Sequence, residues 1–143
     1  MDGNFPYSKA FITGATGVVG KKILEKLSKL DIPITALVRS EESKDIVESY
    51  NAEPIYGDIL DQDLDKKIGD ADLVFHVAGI NEMCSKNPSL MFKVNVEGTE
   101  NMIDASNKSN VESFVYTSSA VTIGEEHGAL ASETTNHRGK FLS

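Results

Sequence analysis

The segment Thr13-Gly14-Ala15-Thr16-Gly17-Val18-Val19-Gly20 constrains the fold more than any other part of the chain. It follows the apolar run Ala10-Phe11-Ile12 and opens an amphipathic segment from Lys21 to Leu30. That order is a strand, a glycine turn and a helix. Such a turn presents backbone N–H groups to an anion, and the helix dipole adds partial positive charge at the same place. Gly14 allows the tight turn, Gly17 lets a pyrophosphate approach the backbone, and Gly20 lets helix and strand pack closely. Thr16, Val18 and Val19, between and beside the glycines, join them as candidate phosphate-cradling residues. Small residues are common in turns, so a plain strand-to-helix connection competes with this interpretation until the rest of the chain is considered.

Beyond the turn, strand-like runs alternate with helical periodicity. Strands are predicted at Lys9–Thr13, Ile32–Val38, Glu53–Tyr56, Leu73–Val77 and Phe114–Thr117. Helices are predicted at Val18–Leu30, Glu41–Tyr50, Leu64–Ile68 and from Pro88 to about Lys108. The first helix would present Val19, Ile23, Leu27 and Leu30 on one face, and the last would carry a stripe of Leu90, Val94, Gly98, Met102 and Ala105. This alternation predicts a three-layer α/β fold: a doubly wound parallel sheet of Rossmann type, with strand order 3-2-1-4-5 from right-handed crossovers. After Gly124 the pattern stops, and Glu125–Ser143 is polar and turn-rich, as expected for a loop or tail. Residues 1–124 are thus expected to form one domain and 125–143 an appendage to it.

Composition narrows the partners. The net charge of −8 disfavours non-specific binding to nucleic acid or anionic membrane, so an anionic ligand must be held by local donors. A single cysteine, Cys84, leaves no internal disulfide and no cysteine-rich zinc site, and the histidines His76, His127 and His137 show no metal-ligand spacing. The start of the chain does not resemble a signal peptide and no apolar run reaches the length of a membrane span. A cytoplasmic protein is the expectation.

Further motifs recur at the strand ends. They are Leu37-Val38-Arg39-Ser40, Gly57-Asp58-Ile59, His76-Val77-Ala78-Gly79 and Val115-Tyr116-Thr117-Ser118-Ser119-Ala120, with Asn95-Val96-Glu97-Gly98-Thr99 on the long helix. In this order, and with the glycine turn, they resemble the N-terminal half of extended short-chain dehydrogenases/reductases. Within that group the likeness is to the NAD-dependent epimerase/dehydratase proteins and their dihydroflavonol-reductase-like relatives. The resemblance implies a dinucleotide cofactor and, in an intact parent, a small-molecule substrate with a hydroxyl or carbonyl group. It also implies a Tyr-x-x-x-Lys pair beyond the fifth strand, and none of Tyr7, Tyr50, Tyr56 or Tyr116 has a lysine four residues later. The expectation is therefore a truncated, inactive cofactor-binding half that lacks the substrate half. The competing reading is a nucleotide sensor that has kept the fold without catalysis.

Individual residues sharpen these expectations. Arg39, at the end of the second strand, stands where an acid would mark NAD. A guanidinium there suits a 2′-phosphate, which with Ser40 tilts the cofactor from NAD towards NADP. Lys44 is a candidate second phosphate contact, with solvated surface as its simpler role. By resemblance, Asp58 would accept a hydrogen bond from the adenine amino group, with Ile59 beside the ring. Ala78 and Gly79 would let the dinucleotide lie against the fourth strand's end. Ser119, or Ser118 if the register differs by one, would match the family's catalytic hydroxyl, and Asn95 its helix asparagine. His76 is expected to be a hydrogen-bonded, structural histidine. Whether the parent is a reductase or an epimerase stays open. With the substrate half missing, apolar surface beside Phe114, Val115 and the Leu90–Met102 helix is expected to be uncovered, making a homodimer the expected response.

Overall fold

The structure, a computed structural model, describes residues 5–82, 85–123 and 130–136. Five parallel strands form one sheet: β1 (Ala10–Thr13), β2 (Ile34–Val38), β3 (Glu53–Tyr56), β4 (Leu73–His76) and β5 (Ser113–Tyr116). Their order is β3-β2-β1-β4-β5, as the alternation predicts. The registers bring the C-terminal strand ends together, with Thr13 beside both Leu37 and His76, and His76 beside Tyr116.

β1 and β2 are buried throughout, which is why both read as near-continuous apolar runs. Their side chains still alternate between faces. Ala10, Ile12, Ile34, Ala36 and Val38 enter one core with Leu24, Leu27 and Val47 from α1 (Val18–Leu27) and α2 (Glu41–Glu48). Phe11, Leu37 and Val74 enter the other with Leu64 and Ile68 from α3 (Leu64–Ile68) and with Met102 and Ala105. Two cores separated by one sheet make the three layers. Phe11 is fully buried at the centre of its core, so Phe11→Ala should cost about 3–5 kcal/mol.

Several elements differ from the sequence expectation. α1 ends at Leu27 rather than Leu30, because the chain tightens there, with Leu30 N–H donating to Leu27 O at 2.9 Å. Its buried face is Gly20, Leu24 and Leu27, and Val19 is half exposed, because the glycine turn aims Gly20 and not Val19 at the sheet. α2 stops two residues early, at Glu48. β5 spans Ser113–Tyr116, one residue earlier than predicted.

The long helix is not uniform. α4 (Pro88–Phe92) runs through a π-helical turn (Lys93–Glu97) into α5 (Gly98–Lys108), with helical backbone angles at both junctions. In the wide turn Gly98 N–H donates to Lys93 O, five residues back. A π turn advances less per residue and rotates what precedes it. Val94, Gly98, Met102 and Ala105 are buried as expected, while Leu90 stands exposed. The tail expected over 125–143 lies mostly outside the described residues.

Candidate dinucleotide cleft

The three glycines of the turn meet different steric demands. Gly14 has φ of +68°, and a Cβ there would stand 2.6 Å from Ala78 N. A Cβ on Gly20 would stand 2.0 Å from Gly14 O. Both are required by the fold. Gly17 has extended backbone that any residue adopts, and its Cβ would meet nothing closer than Gly14 O at 3.4 Å. The fold does not need a glycine at 17, yet that residue lines a cleft beside the C-terminal ends of β1, β2 and β4. Gly17 is also the N-cap of α1 and supplies no side-chain cap to the first turn. The first N–H groups of a helix lack intrahelical acceptors, so this uncapped end offers donors at the cleft.

The cleft has a volume of about 310 Å³. Two other hollows are as large: a groove edged by Asp61, Asp65, Asp104 and Lys108, and a recess between Ser28 and Asn51. Size does not single out the cleft; the glycine turn and its place beside the change of direction in strand order do.

Of the residues expected to bind cofactor, Gly14, Thr16, Gly17, Arg39, Asp58, Ile59, Ala78 and Gly79 line the cleft together. Val18 and Val19 do not line it, since their side chains face solvent, 88% and 49% exposed, and leave only their N–H groups at the helix start. Gly20 is buried beneath the turn. Ser40 is also outside the lining, because it caps α2: its Oγ accepts from Ser43 N–H at 3.2 Å and donates to Ser43 Oγ at 3.1 Å. Ser43 lines the cleft instead. The sequence carried a signal for this, since a serine directly before a helical run is a preferred cap.

Arg39 and Asp58 face each other across the ends of β2 and β3, with Nη1 3.5 Å from Oδ2. The other Asp58 oxygen accepts from Leu60 N–H at 3.0 Å. Lys44 does not line the cleft and pairs with Glu41 at 3.3 Å, while the Tyr56 hydroxyl donates to the other Glu41 oxygen. Thr13, Leu37, Val38, Gly57, Val77, Ile80 and Val94 also line the cleft and were not anticipated from the sequence.

Asn95 lies in the π turn. It does not line the cleft but grips its wall: Oδ1 accepts from Ile80 N–H at 2.7 Å and Nδ2 donates to Ile80 O at 2.8 Å. Ser119 follows β5 on exposed backbone, and its carbonyl accepts from the Thr122 hydroxyl at 2.7 Å at a 3-10 turn (Ala120–Thr122). It does not line the cleft either. His76 is fully buried, bonded through both ring nitrogens, to Thr13 Oγ at 2.8 Å and Thr99 Oγ at 3.1 Å. Burial pushes its pKa down to about 4. Its ring stacks on Tyr116, with centroids 5.6 Å apart. Among the described residues no cluster of three or more potential metal ligands forms, and no helix is long and apolar enough to cross a membrane.

A strand–glycine turn–helix at the centre of a parallel 3-2-1-4-5 sheet, with small residues at the neighbouring strand end, defines the Rossmann class of nucleotide-binding folds. The comparisons with known proteins give the family. The model of the 3-beta hydroxysteroid dehydrogenase/isomerase family matches residues 11–142, and the chain belongs to that family, within the extended short-chain dehydrogenases/reductases. The sterol-4-alpha-carboxylate 3-dehydrogenase (decarboxylating) of Dictyostelium discoideum is 33% identical over 130 residues, covering 87% of this chain and 40% of that protein. The crystal structure of gox2253 superposes with a TM-score of 0.80 at 34% identity, covering 90% of this chain and 39% of that one. A short-chain dehydrogenase/reductase superfamily protein from Agrobacterium tumefaciens, solved with bound NAD, gives a TM-score of 0.67 at 26% identity, covering 80% and 33%. The chain spans about a third of the length of the curated relatives it matches.

Proposed function

We propose that the chain is the cofactor-holding part of an NADP(H)- or NAD(H)-dependent oxidoreductase or epimerase acting on a hydroxyl/carbonyl pair. The observation that carries this is Gly17: the fold tolerates a side chain there, but the cleft beside the helix start would lose the space in which a pyrophosphate meets the N–H groups. In this arrangement the first turn of α1 and the Gly14–Gly17 backbone hold the phosphates. The adenosine lies towards Asp58 and Ile59, and the dinucleotide runs on past Ala78 and Gly79. Bound nicotinamide supplies the hydride donor or acceptor. Ser119 would orient the substrate oxygen, and Asn95 steadies the wall against which the cofactor lies.

Arg39 supports a preference for NADP over NAD. Its guanidinium is 76% exposed at the cleft rim, held near Asp58 rather than buried in an ion pair, and is available to a 2′-phosphate. The carboxylate of Glu41, which would oppose that phosphate, is occupied by Tyr56 and Lys44.

Thermal melts with NADPH and with NADH test the proposal. Ligand at about 100 times its Kd adds roughly 2.7 kcal/mol, a rise in Tm of roughly 8 °C for a domain of this size. NADPH should reach that rise at lower concentration than NADH. No rise with either refutes the proposal, and equal rises remove the argument from Arg39.

A further inference from the structure

The wall of the cleft from Val77 to Ile80 is irregular backbone, yet it is pinned at both ends. At one end Thr13 Oγ accepts from Val77 N–H at 3.3 Å and from Ala78 N–H at 3.2 Å. At the other, the Asn95 side chain holds both the N–H and the carbonyl of Ile80. Thr13 lies on β1 and Asn95 on the π turn, and two side chains join them. His76 bridges Thr13 and Thr99, and Thr99 Oγ donates to Asn95 O at 2.7 Å.

Every proton in this ring can be assigned. A carbonyl only accepts, so the single hydroxyl proton of Thr99 is committed to Asn95 O. Thr99 Oγ must then accept from His76, which places a proton on Nε2. Val77 N–H is shared between Thr13 O and Thr13 Oγ, each at 3.3 Å, and Ala78 N–H points to Thr13 Oγ alone. A neutral imidazole carries one proton, and with that proton on Nε2 the bare Nδ1 accepts from the Thr13 hydroxyl. The ring closes only with His76 as the neutral Nε2–H tautomer, with donors running in one sense from Thr13 through His76 and Thr99 to Asn95 O.

Resting on the dinucleotide-binding function proposed above, we propose that His76 and Thr99 are positioning residues: through Thr13 and Asn95 they hold the wall of Ala78 and Ile80 in the shape the dinucleotide meets. Neither touches the ligand space; His76 is fully buried and Thr99 is not part of the cleft lining.

The test uses the full chain in four forms: the parent sequence, Thr99→Val, which keeps the shape and loses the hydroxyl, Thr99→Ser, which restores it, and Ser106→Ala. Ser106 Oγ donates to Met102 O at 2.7 Å, the same kind of bond two turns further along the helix and outside the ring. Amide hydrogen exchange at Ala78 and Ile80 reads the wall, and calorimetric titration with NADPH reads the cleft. Thr99→Val should speed exchange at Ile80 and raise the NADPH Kd, each about tenfold. Thr99→Ser should return both towards the parent values, and Ser106→Ala should change neither. Nitrogen NMR of the parent chain should show His76 with a protonated Nε2 and a bare Nδ1. Unchanged Ile80 exchange in Thr99→Val, or the Nδ1–H tautomer, overturns the ring. Faster exchange with an unchanged NADPH Kd overturns its role in positioning the cleft. If the parent chain binds no NADPH, the proposed function fails, and exchange and tautomer then decide the ring on their own.

Discussion

Replacing Gly20 and Gly17 in turn should separate what the fold needs from what a ligand needs. A Cβ at Gly20 would sit 2.0 Å from Gly14 O and within 2.9 Å of Ala15 Cα. Ordinary contact begins near 3.4 Å, so helix or turn must retreat by about 1.4 Å, and both are backbone. Overpacking of this kind costs about 1–3 kcal/mol or more, against about 1 kcal/mol gained from alanine's helix propensity. Because both clashing partners are backbone, the cost falls at the upper end, about 3 kcal/mol, and Gly20→Ala should lose about 2 kcal/mol net from a total stability on the order of 5–15 kcal/mol. At Gly17 the nearest atom to an added Cβ is already at contact distance, and the backbone is extended. The N-cap preference costs Gly17→Val about 1 kcal/mol at most. Its side chain fills the approach to the helix N–H groups, so NADPH affinity should fall more than a hundredfold. Urea melts beside calorimetric titrations read both quantities. Gly17→Val that binds NADPH normally, or that unfolds as readily as Gly20→Ala, would refute the assignment of Gly17 to the ligand.

Three further outcomes are expected. Because His76 stays neutral in the fold down to about pH 4 while the unfolded chain protonates near 6.5, its contribution is complete above pH 6.5 and is lost as pH falls to about 4. The difference in unfolding free energy between the parent chain and His76→Asn should change by about 3 kcal/mol over that range, common carboxylate effects cancelling; a flat difference contradicts the buried neutral ring. The 143-residue chain should oxidise no NADPH with simple ketones or aldehydes, since no tyrosine in it has a lysine four residues on; protein-dependent turnover abolished by Ser119→Ala would overturn this. Phe92, Val96 and Ile103, 60%, 37% and 43% exposed along one helix, should drive self-association between copies of this chain. Sedimentation should show dimers that Phe92→Asp dissociates, and a monomer at high concentration contradicts that.

Local patterns made much of this molecule legible. β1, the glycine turn and α1 follow from residues next to one another, and parallel order then puts Arg39 and Asp58 at the same end of neighbouring strands. The π turn was not legible: Asn95 and Thr99 fit an ordinary helical stripe, and the contact between Thr99 and His76, 23 residues earlier, lies beyond any local pattern. Ser40 and Ser43 carry the same hydroxyl, and only their places relative to the helix start tell them apart. Which one faces the cleft depends on the turn that makes Ser40 the cap. Val18 and Val19 join the site by adjacency in the sequence, although a helix start offers its backbone and turns such side chains to water.

The central claim is tested most directly by titrating the isotope-labelled chain with NADPH and following its backbone amides. The account predicts saturable shifts at Gly14, Gly17, Val18 and Val19, at Arg39 and Ser43, and from Ala78 to Ile80, with residues around Asp61, Asp104 and Lys108 unmoved. Shifts confined to that acidic groove or to the recess between Ser28 and Asn51, or none at millimolar NADPH, would contradict it.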